Sequence, residues 1–237
     1  MARLRVLLTG FGPFPGIPDN PSARLAEALA ATSSALDCDL HWQVLPTEWE
    51  TVAALVPALH ETLQPHVMIH FGLSECSKTF RIERSAHNRT APRHDAKGAL
   101  PSSALVLAQR PHRLDTRLPA AVLAAHLRAQ GLAATTSHSA GSYLCNFLYY
   151  LSLEWGSRQE SPPIVLFVHI PQTSAQDGPF SEAQLLRGAQ ELLRLVFAFA
   201  GTGIVGGRTG AKLATAEAGL LCNDALSCRR RDRATAL

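Results

Sequence analysis

The chain contains no Cys-x-x-Cys pair, so the usual zinc-knuckle and dithiol-redox spacings are missing. Its five cysteines, at 38, 76, 145, 222 and 228, are scattered and odd in number, which does not make a disulfide framework. Cys222 and Cys228 are too far apart for a zinc-ribbon knuckle and have no histidine nearby. Charge of one sign is also scarce. The formal net charge is +3, and the one dense basic cluster, Arg229 to Arg231, is short. That argues against nucleic-acid binding, which concentrates charge in a stripe. No run reaches the roughly 18 apolar residues that cross a bilayer, so no membrane partner is expected. The first apolar run, from Arg5, is broken by Gly10, Gly12 and Pro13, and reads as a β-strand rather than a signal peptide. No internal repeat occurs. The expected setting is a reducing cytoplasm, where a cysteine stays a free thiol.

What is there is enough for a core. The 237 residues are 46% hydrophobic, which fits one large α/β domain better than two small ones. Strand-like runs at 5–10, 41–45, 67–71, 79–83, 133–138 and 164–168 alternate with helical patterns at 22–31, 48–63, 118–130, 143–155 and 181–199. Asn20 or Ser22 is a plausible cap for the first helix, with Pro21 in its first turn. Residues 86–113 carry Asn, Pro, His, Arg and Gly without period, and read as one long loop of the kind that is functional or disordered. The alternation predicts a mainly parallel twisted sheet with helices on both faces. The expected organisation is one α/β domain over 1–200 and a weakly ordered Gly/Ala/Arg-rich tail over 201–237.

Ligands of an open α/β sheet gather at the carboxyl ends of its strands. Phe11 and Phe14 follow the first strand, Gly72 the third, Cys145 the strand ending near His138, and His169 the next. Cys145 near a helix start and His169 at a strand end, 24 residues apart, are the two parts of a thiolate nucleophile with its base. A helix N-terminus and a nearby imidazolium both favour a thiolate. A buried free cysteine that merely packs is equally compatible with the spacing. Cys76 is the rival thiol, but Glu75 beside it disfavours ionisation. Glu83 is the candidate orienting acid, although a surface carboxylate paired with Arg81 or Arg84 is the favoured reading from sequence alone. Phe11 and Phe14, on a rigid Gly-Pro loop, either wall a pocket for a flat ring or plug the core. The dinucleotide fingerprint fails, because Pro15 stands where it needs glycine. His66 and His70 lie about 13 Å apart on a strand, so no metal site is expected there.

Four blocks resemble pyroglutamyl peptidase type I, also called pyrrolidone-carboxylate peptidase. They are Thr9-Gly10-Phe11-Gly12-Pro13-Phe14 with Asn20-Pro21-Ser22; Ile82-Glu83-Arg84 with His87-Asn88; Ser139-Ala140-Gly141-Ser142-Tyr143-Leu144-Cys145-Asn146; and Val168-His169-Ile170-Pro171. Their order and spacing make the resemblance specific, and it runs from about Arg5 to about Ala200. It implies a triad of Cys145, His169 and Glu83 and a three-layer open α/β sandwich. It also implies a cytosolic protein, alone or as a homo-oligomer (dimer or tetramer), and no metal or organic cofactor. The implied reaction removes an N-terminal pyroglutamyl (5-oxoproline) residue from peptides. Phe11 and Phe14 match positions that line the lactam pocket, Arg93 lies where the family has an arginine near the oxyanion site, and Tyr143 joins them as a substrate-binding candidate. The chain departs from the family after the third strand. Leu73 stands where many members carry glutamine, the 89–111 stretch fits poorly, and the tail has no counterpart. Two alternatives follow: a cysteine amidohydrolase for another small amide, and a catalytically silent member that acts as a binding protein.

Overall fold

The apolar run Leu4–Phe11 forms β1, and its end is tied directly to the next helix. Asn20 caps that helix, α1 (Pro21–Thr32), its side chain accepting from Ser22 N, with Pro21 in the first turn where no amide partner is needed. The approach is close enough that a Cβ on Gly10 would stand 2.1 Å from the Ser22 carbonyl oxygen, so only glycine fits. The computed structural model describes residues 3–33 and 36–201. The expected tail lies, apart from Gly201, outside the described residues.

The remaining elements are β2 (Cys38–Leu45), α2 (Trp49–Leu63), β3 (Val67–Leu73), β4 (Phe80–Glu83), β5 (Ser85–His87), β6 (Arg113–Asp115), α3 (Ala120–Ala129), β7 (Ala134–Ser137), α4 (Leu144–Ser157), β8 (Ile164–Ile170) and α5 (Glu182–Gly201), with a 3₁₀ turn at Ser174–Gln176. Six strands form one sheet in the order β2-β1-β3-β8-β4-β7. Neighbours are parallel except β8 and β4, which run antiparallel. The sheet is therefore mixed and mostly parallel, in an α/β sandwich. The chain divides into two units, Met1–Val196 and Phe197–Leu237. The described part of the second continues the helix α5 to Gly201. Among the described residues no helix is long and apolar enough to cross a membrane.

Strand alternation sorts the core into two layers. Leu7, Met68, Val165 and Phe167 point to the face covered by α2 and α4, where they join Val52, Val56, Leu148 and Tyr149. The face opposite is packed by α1, α3 and the first part of α5, where Gly188 abuts the Phe80 ring. α4 is buried along nearly its whole length, which is why its sequence is apolar on every side rather than on one stripe.

Two expectations need correction. β7 and β4 run against β1, β3 and β8, so Cys145 does not follow a carboxyl end shared with them. It reaches that edge through the connection 138–143. The stretch 86–113 is not one free loop: its ends pair as the antiparallel strands β5 and β6, with Ser85 opposite Asp115 and His87 opposite Arg113.

Candidate active site

β8 continues past Val168 to Ile170, so His169 sits inside a strand rather than after it. Its register places it opposite Arg81 of β4, with Phe167 opposite Glu83. Residues two apart share a face, so His169, Arg81 and Glu83 all point to the side covered by α4. There His169 Nδ1 lies 2.8 Å from Glu83 Oε1. Glu83 is 0% exposed and His169 7%. The surface-carboxylate reading of Glu83 is therefore overturned. The strand puts it in the interior, and an ionised carboxylate stays there only with charged or donating partners. Arg81 is such a second partner, its Nη2 3.4 Å from the same oxygen.

Cys145 is the second residue of α4, inside the first turn whose backbone amides lack helical partners. Its thiol packs at position 72, the register partner of His169, and lines the same cleft as the imidazole. Burial alone pulls the imidazole pKa down. The negative sulfur of Cys145 and the Glu83 carboxylate outweigh burial and raise it from 6.5 to about 9. An imidazolium is thus held beside the sulfur at neutral pH, which is the condition that favours a thiolate. Cys145 has room because position 72 has no side chain: a Cβ on Gly72 would stand 2.8 Å from Sγ and 2.8 Å from Phe167 Cζ.

The cleft in front of the thiol has a volume of about 470 Å³. Phe11, Phe14, Leu73, Arg93, Tyr143, Cys145 and His169 all line it. Glu83 does not, since it lies behind His169. Phe11 belongs both to the core and to the cleft wall. Phe14 is half-buried on a turn closed by reciprocal backbone bonds with Ile17, at 3.1 and 2.8 Å. The turn's base is fixed at the Gly12 carbonyl, which accepts from Asn20 Nδ2 and Thr47 Oγ1, both at 3.0 Å. Cys76 is exposed; its neighbour Glu75, not Cys76, reaches the cleft.

The opposite wall is the 88–112 segment, and it is tied down throughout. Asn146, fully buried, accepts from His87 N at 2.8 Å and donates to His87 O and Arg89 O at 2.7 and 3.0 Å. Asn88 bridges the far limb, donating to Leu107 O and accepting from Leu107 N. Asp95 accepts from Trp49 N, Lys97 N and Ala99 N, which caps the start of α2 and closes its own turn. Burial pushes the Asp95 carboxyl upward, but these amides outweigh it and hold the pKa below the usual range. Trp49 donates to Arg93 O and meets Tyr143 edge-on at 5.2 Å. The Arg93 guanidinium lies 4.7 Å above the Tyr143 ring, and Tyr143 OH donates to His94 O.

Sequence reasoning missed these supports. Asn146 and Asn88 stood in the quoted blocks without a role. The signal for Asn146 was a carboxamide inside an apolar helix, which a buried helix keeps only when every polar atom is paired. His66 and His70 go elsewhere: His66 Nδ1 accepts from Arg5 N, and His70 pairs with Thr9. Among the described residues no three His, Cys, Asp or Glu side chains cluster as metal ligands.

The sequence profile of a family described as pyroglutamyl peptidase matches residues 4–178. Pyroglutamyl-peptidase 1 of Mus musculus is 31% identical over 193 residues, covering 81% of this chain and 88% of the relative. Pyrrolidone-carboxylate peptidase of Pyrococcus furiosus is 31% identical over 174 residues, 73% of this chain and 83% of the relative. Among solved structures, a mutant pyrrolidone carboxyl peptidase from Pyrococcus furiosus superposes with a TM-score of 0.76 at 27% identity, covering 81% of this chain and 98% of that one. Pyroglutamyl peptidase I of Bacillus amyloliquefaciens gives 0.72 at 25% identity, covering 79% and 93%.

Proposed function

The chain belongs to the pyroglutamyl peptidase family, and from that premise we propose that it removes N-terminal pyroglutamyl residues from peptides with Cys145 as nucleophile, His169 as acid and base, and Glu83 as the orienting acid. The observation that carries this reading is the buried His169–Glu83 pair, with Glu83 sealed behind the imidazole and the Cys145 thiol on the same cleft wall as His169.

The pyroglutamyl ring enters between Phe11 and Phe14, beside Leu73. A flat, mostly apolar ring gains by leaving water, whereas the charged amine of an ordinary N-terminus would lose its hydration there. The Cys145 thiolate attacks the carbonyl carbon of the pyroglutamyl residue. The electron pair moves onto the oxygen, and backbone amides at the start of α4 stabilise it. As the tetrahedral intermediate collapses, the C–N bond breaks and His169 gives its proton to the departing amine. The thioester remains. Neutral His169 then takes a proton from water, hydroxide displaces the sulfur, and 5-oxoproline leaves. Glu83, accepting from Nδ1–H, keeps Nε2 as the working nitrogen and compensates the imidazolium charge.

Arg93 and Tyr143 form the wall on the side of the 88–112 segment, braced by Trp49. A reducing cytoplasm suits a peptidase whose nucleophile is a free thiol. A homo-oligomer, dimer or tetramer, is part of the same reading, checked by sedimentation of the full chain. The activity is tested by release of a fluorogenic amine from its L-pyroglutamyl amide against prolyl and glutaminyl amides. A dominant signal from either of the last two would favour another small-amide hydrolase.

A further inference from the structure

Arg81 is a cation of the cleft that the reaction above does not use. It lines the cleft on β4, directly opposite His169 in register. Its side chain is 35% exposed. Its Nη2 is engaged: it donates to Ser137 Oγ at 2.9 Å and to Ser139 O at 3.5 Å, and lies 3.4 Å from Glu83 Oε1. These contacts fix the guanidinium plane. Nε and Nη1 have no partner among the described residues, so half of the fork remains free.

Charge balance on the wall points the same way. Arg81 and Arg93 both line the cleft, and among the described residues Glu75 is the one Asp or Glu that does. Neither Arg93 nor Glu75 belongs to an ion pair among the described residues. The free N–H groups of Arg81 therefore offer this wall donors for an anion, although Glu83 already takes one side of the guanidinium.

The sheet order says which half of a substrate meets Arg81. Phe11 and Phe14 follow β1, and Leu73 ends β3. His169 is on β8, and Arg81 is on the next strand outward. A substrate with its ring at the β1–β3 end and its scissile carbon at Cys145 directs its leaving half over β4. Adjacent strands are about 4.8 Å apart, so Arg81 comes within reach of the first residue after the scissile bond.

We infer that Arg81 is a specificity residue for the leaving half of the substrate, pairing through its free N–H groups with a carboxylate on the residue that follows the pyroglutamyl group. This rests on the proposed reaction. The carboxylate has two sources, the free C-terminus of a pyroglutamyl dipeptide or an acidic side chain at that residue. Arginine suits either, because its planar fork matches a carboxylate.

The experiment measures kcat/KM for pyroglutamyl-alanine against its C-terminal amide, and for pyroglutamyl-glutamate amide against pyroglutamyl-glutamine amide, in the wild type, Arg81→Gln and Arg81→Lys. Ratios within one enzyme cancel any general damage to Glu83 and His169. We expect at least one ratio to favour the carboxylate by about tenfold in the wild type, the size of a partly exposed charge-assisted contact. Arg81→Gln should bring that ratio to about one, and Arg81→Lys should keep part of it. The pair showing the preference identifies the source. Ratios near one in the wild type, or a preference that survives in Arg81→Gln, would overturn the subsite while leaving the reaction intact. No cleavage of any of the four would overturn the reaction, and the subsite with it.

Discussion

The sulfur of Cys145 occupies the space that a side chain at position 72 would need, with a Cβ on Gly72 falling 2.8 Å from Sγ. Two segments far apart in sequence, the end of β3 and the start of α4, are thereby brought to contact. Gly72→Ala must push the thiol, the Phe167 ring or β3 itself. Displacements on the order of 1 Å at a reacting atom cost about 10–100-fold in rate. We expect a folded protein with kcat/KM reduced in that range, checked by circular dichroism beside the fluorogenic assay. An unchanged rate would mean that Sγ does not work from this position.

Glu83 should set the pH behaviour as well as the rate. The His169 pKa is raised to about 9, against the pull of burial, by Cys145 and Glu83. The alkaline limb of kcat/KM should fall near pH 9, as His169 loses its proton. Glu83→Gln removes one raising charge, so the limb should move to lower pH while turnover drops at least tenfold. The linkage has a definite sign. A raised folded-state pKa stabilises the fold fully below about 6.5, and that contribution is lost as pH rises through about 9. The stability gap between wild type and Glu83→Gln should therefore narrow over that window in urea titrations.

The two interior histidines should act in the opposite direction. His60 of α2, facing α4, and His70 of β3 are both buried, and burial lowers their pKa values to about 4 and about 3. His70 pairs with Thr9 Oγ1 at 2.8 Å and His60 with Ser152 Oγ at 3.2 Å. Their depressed values make stability complete above about pH 6.5 and progressively lost as pH falls toward 4 and 3. Replacing both members of one pair, His70→Leu with Thr9→Val, should flatten the acid side of the stability profile without leaving an orphaned polar group. An identical acid slope in that variant would contradict this assignment.

Asn146 should matter for the 88–112 wall rather than for the chemistry. It makes three hydrogen bonds to His87 and Arg89 backbone atoms from a fully buried position. Asn146→Leu leaves those groups unpaired, at about 2–4 kcal/mol in total. Limited proteolysis should then cut between 88 and 112 at a protease concentration that spares the wild type. Asn146→Asp, which keeps the acceptor and loses both donor bonds, should fall between them.

The alternation of short apolar runs with helical patterns was readable because burial on a sheet imposes period two and burial of a helix imposes period 3.6. The ranges for α2 and β3 agree with the expectation to within two residues. The direction of β4 and β7 was not readable, since antiparallel and parallel strands of four residues carry the same pattern. That is why the route to Cys145 was misplaced, although Cys145 does line one cleft with Phe11 and His169. Glu83 shows the same limit. A carboxylate beside two arginines looks like a surface residue until strand register sets it opposite Phe167 and diagonal to His169. Asn146 and Asp95 act through backbone groups, which leave no mark in the sequence of their partners. Phe11 and Phe14 were readable as two aromatics on a rigid loop after the first strand, whereas Leu73, Arg93 and Tyr143 entered only with the family resemblance.

The central claim is that one thiol, Cys145, forms the acyl-enzyme. The most direct measurement is the rate of amine release from an L-pyroglutamyl fluorogenic amide by the wild type and by Cys145→Ala, with mass spectrometry of the quenched wild-type reaction. We predict loss of turnover in Cys145→Ala by at least a thousandfold, and a mass increase of one pyroglutamyl group on the peptide containing Cys145. Wild-type turnover by the folded Cys145→Ala protein, or the same adduct on Cys76, would contradict it.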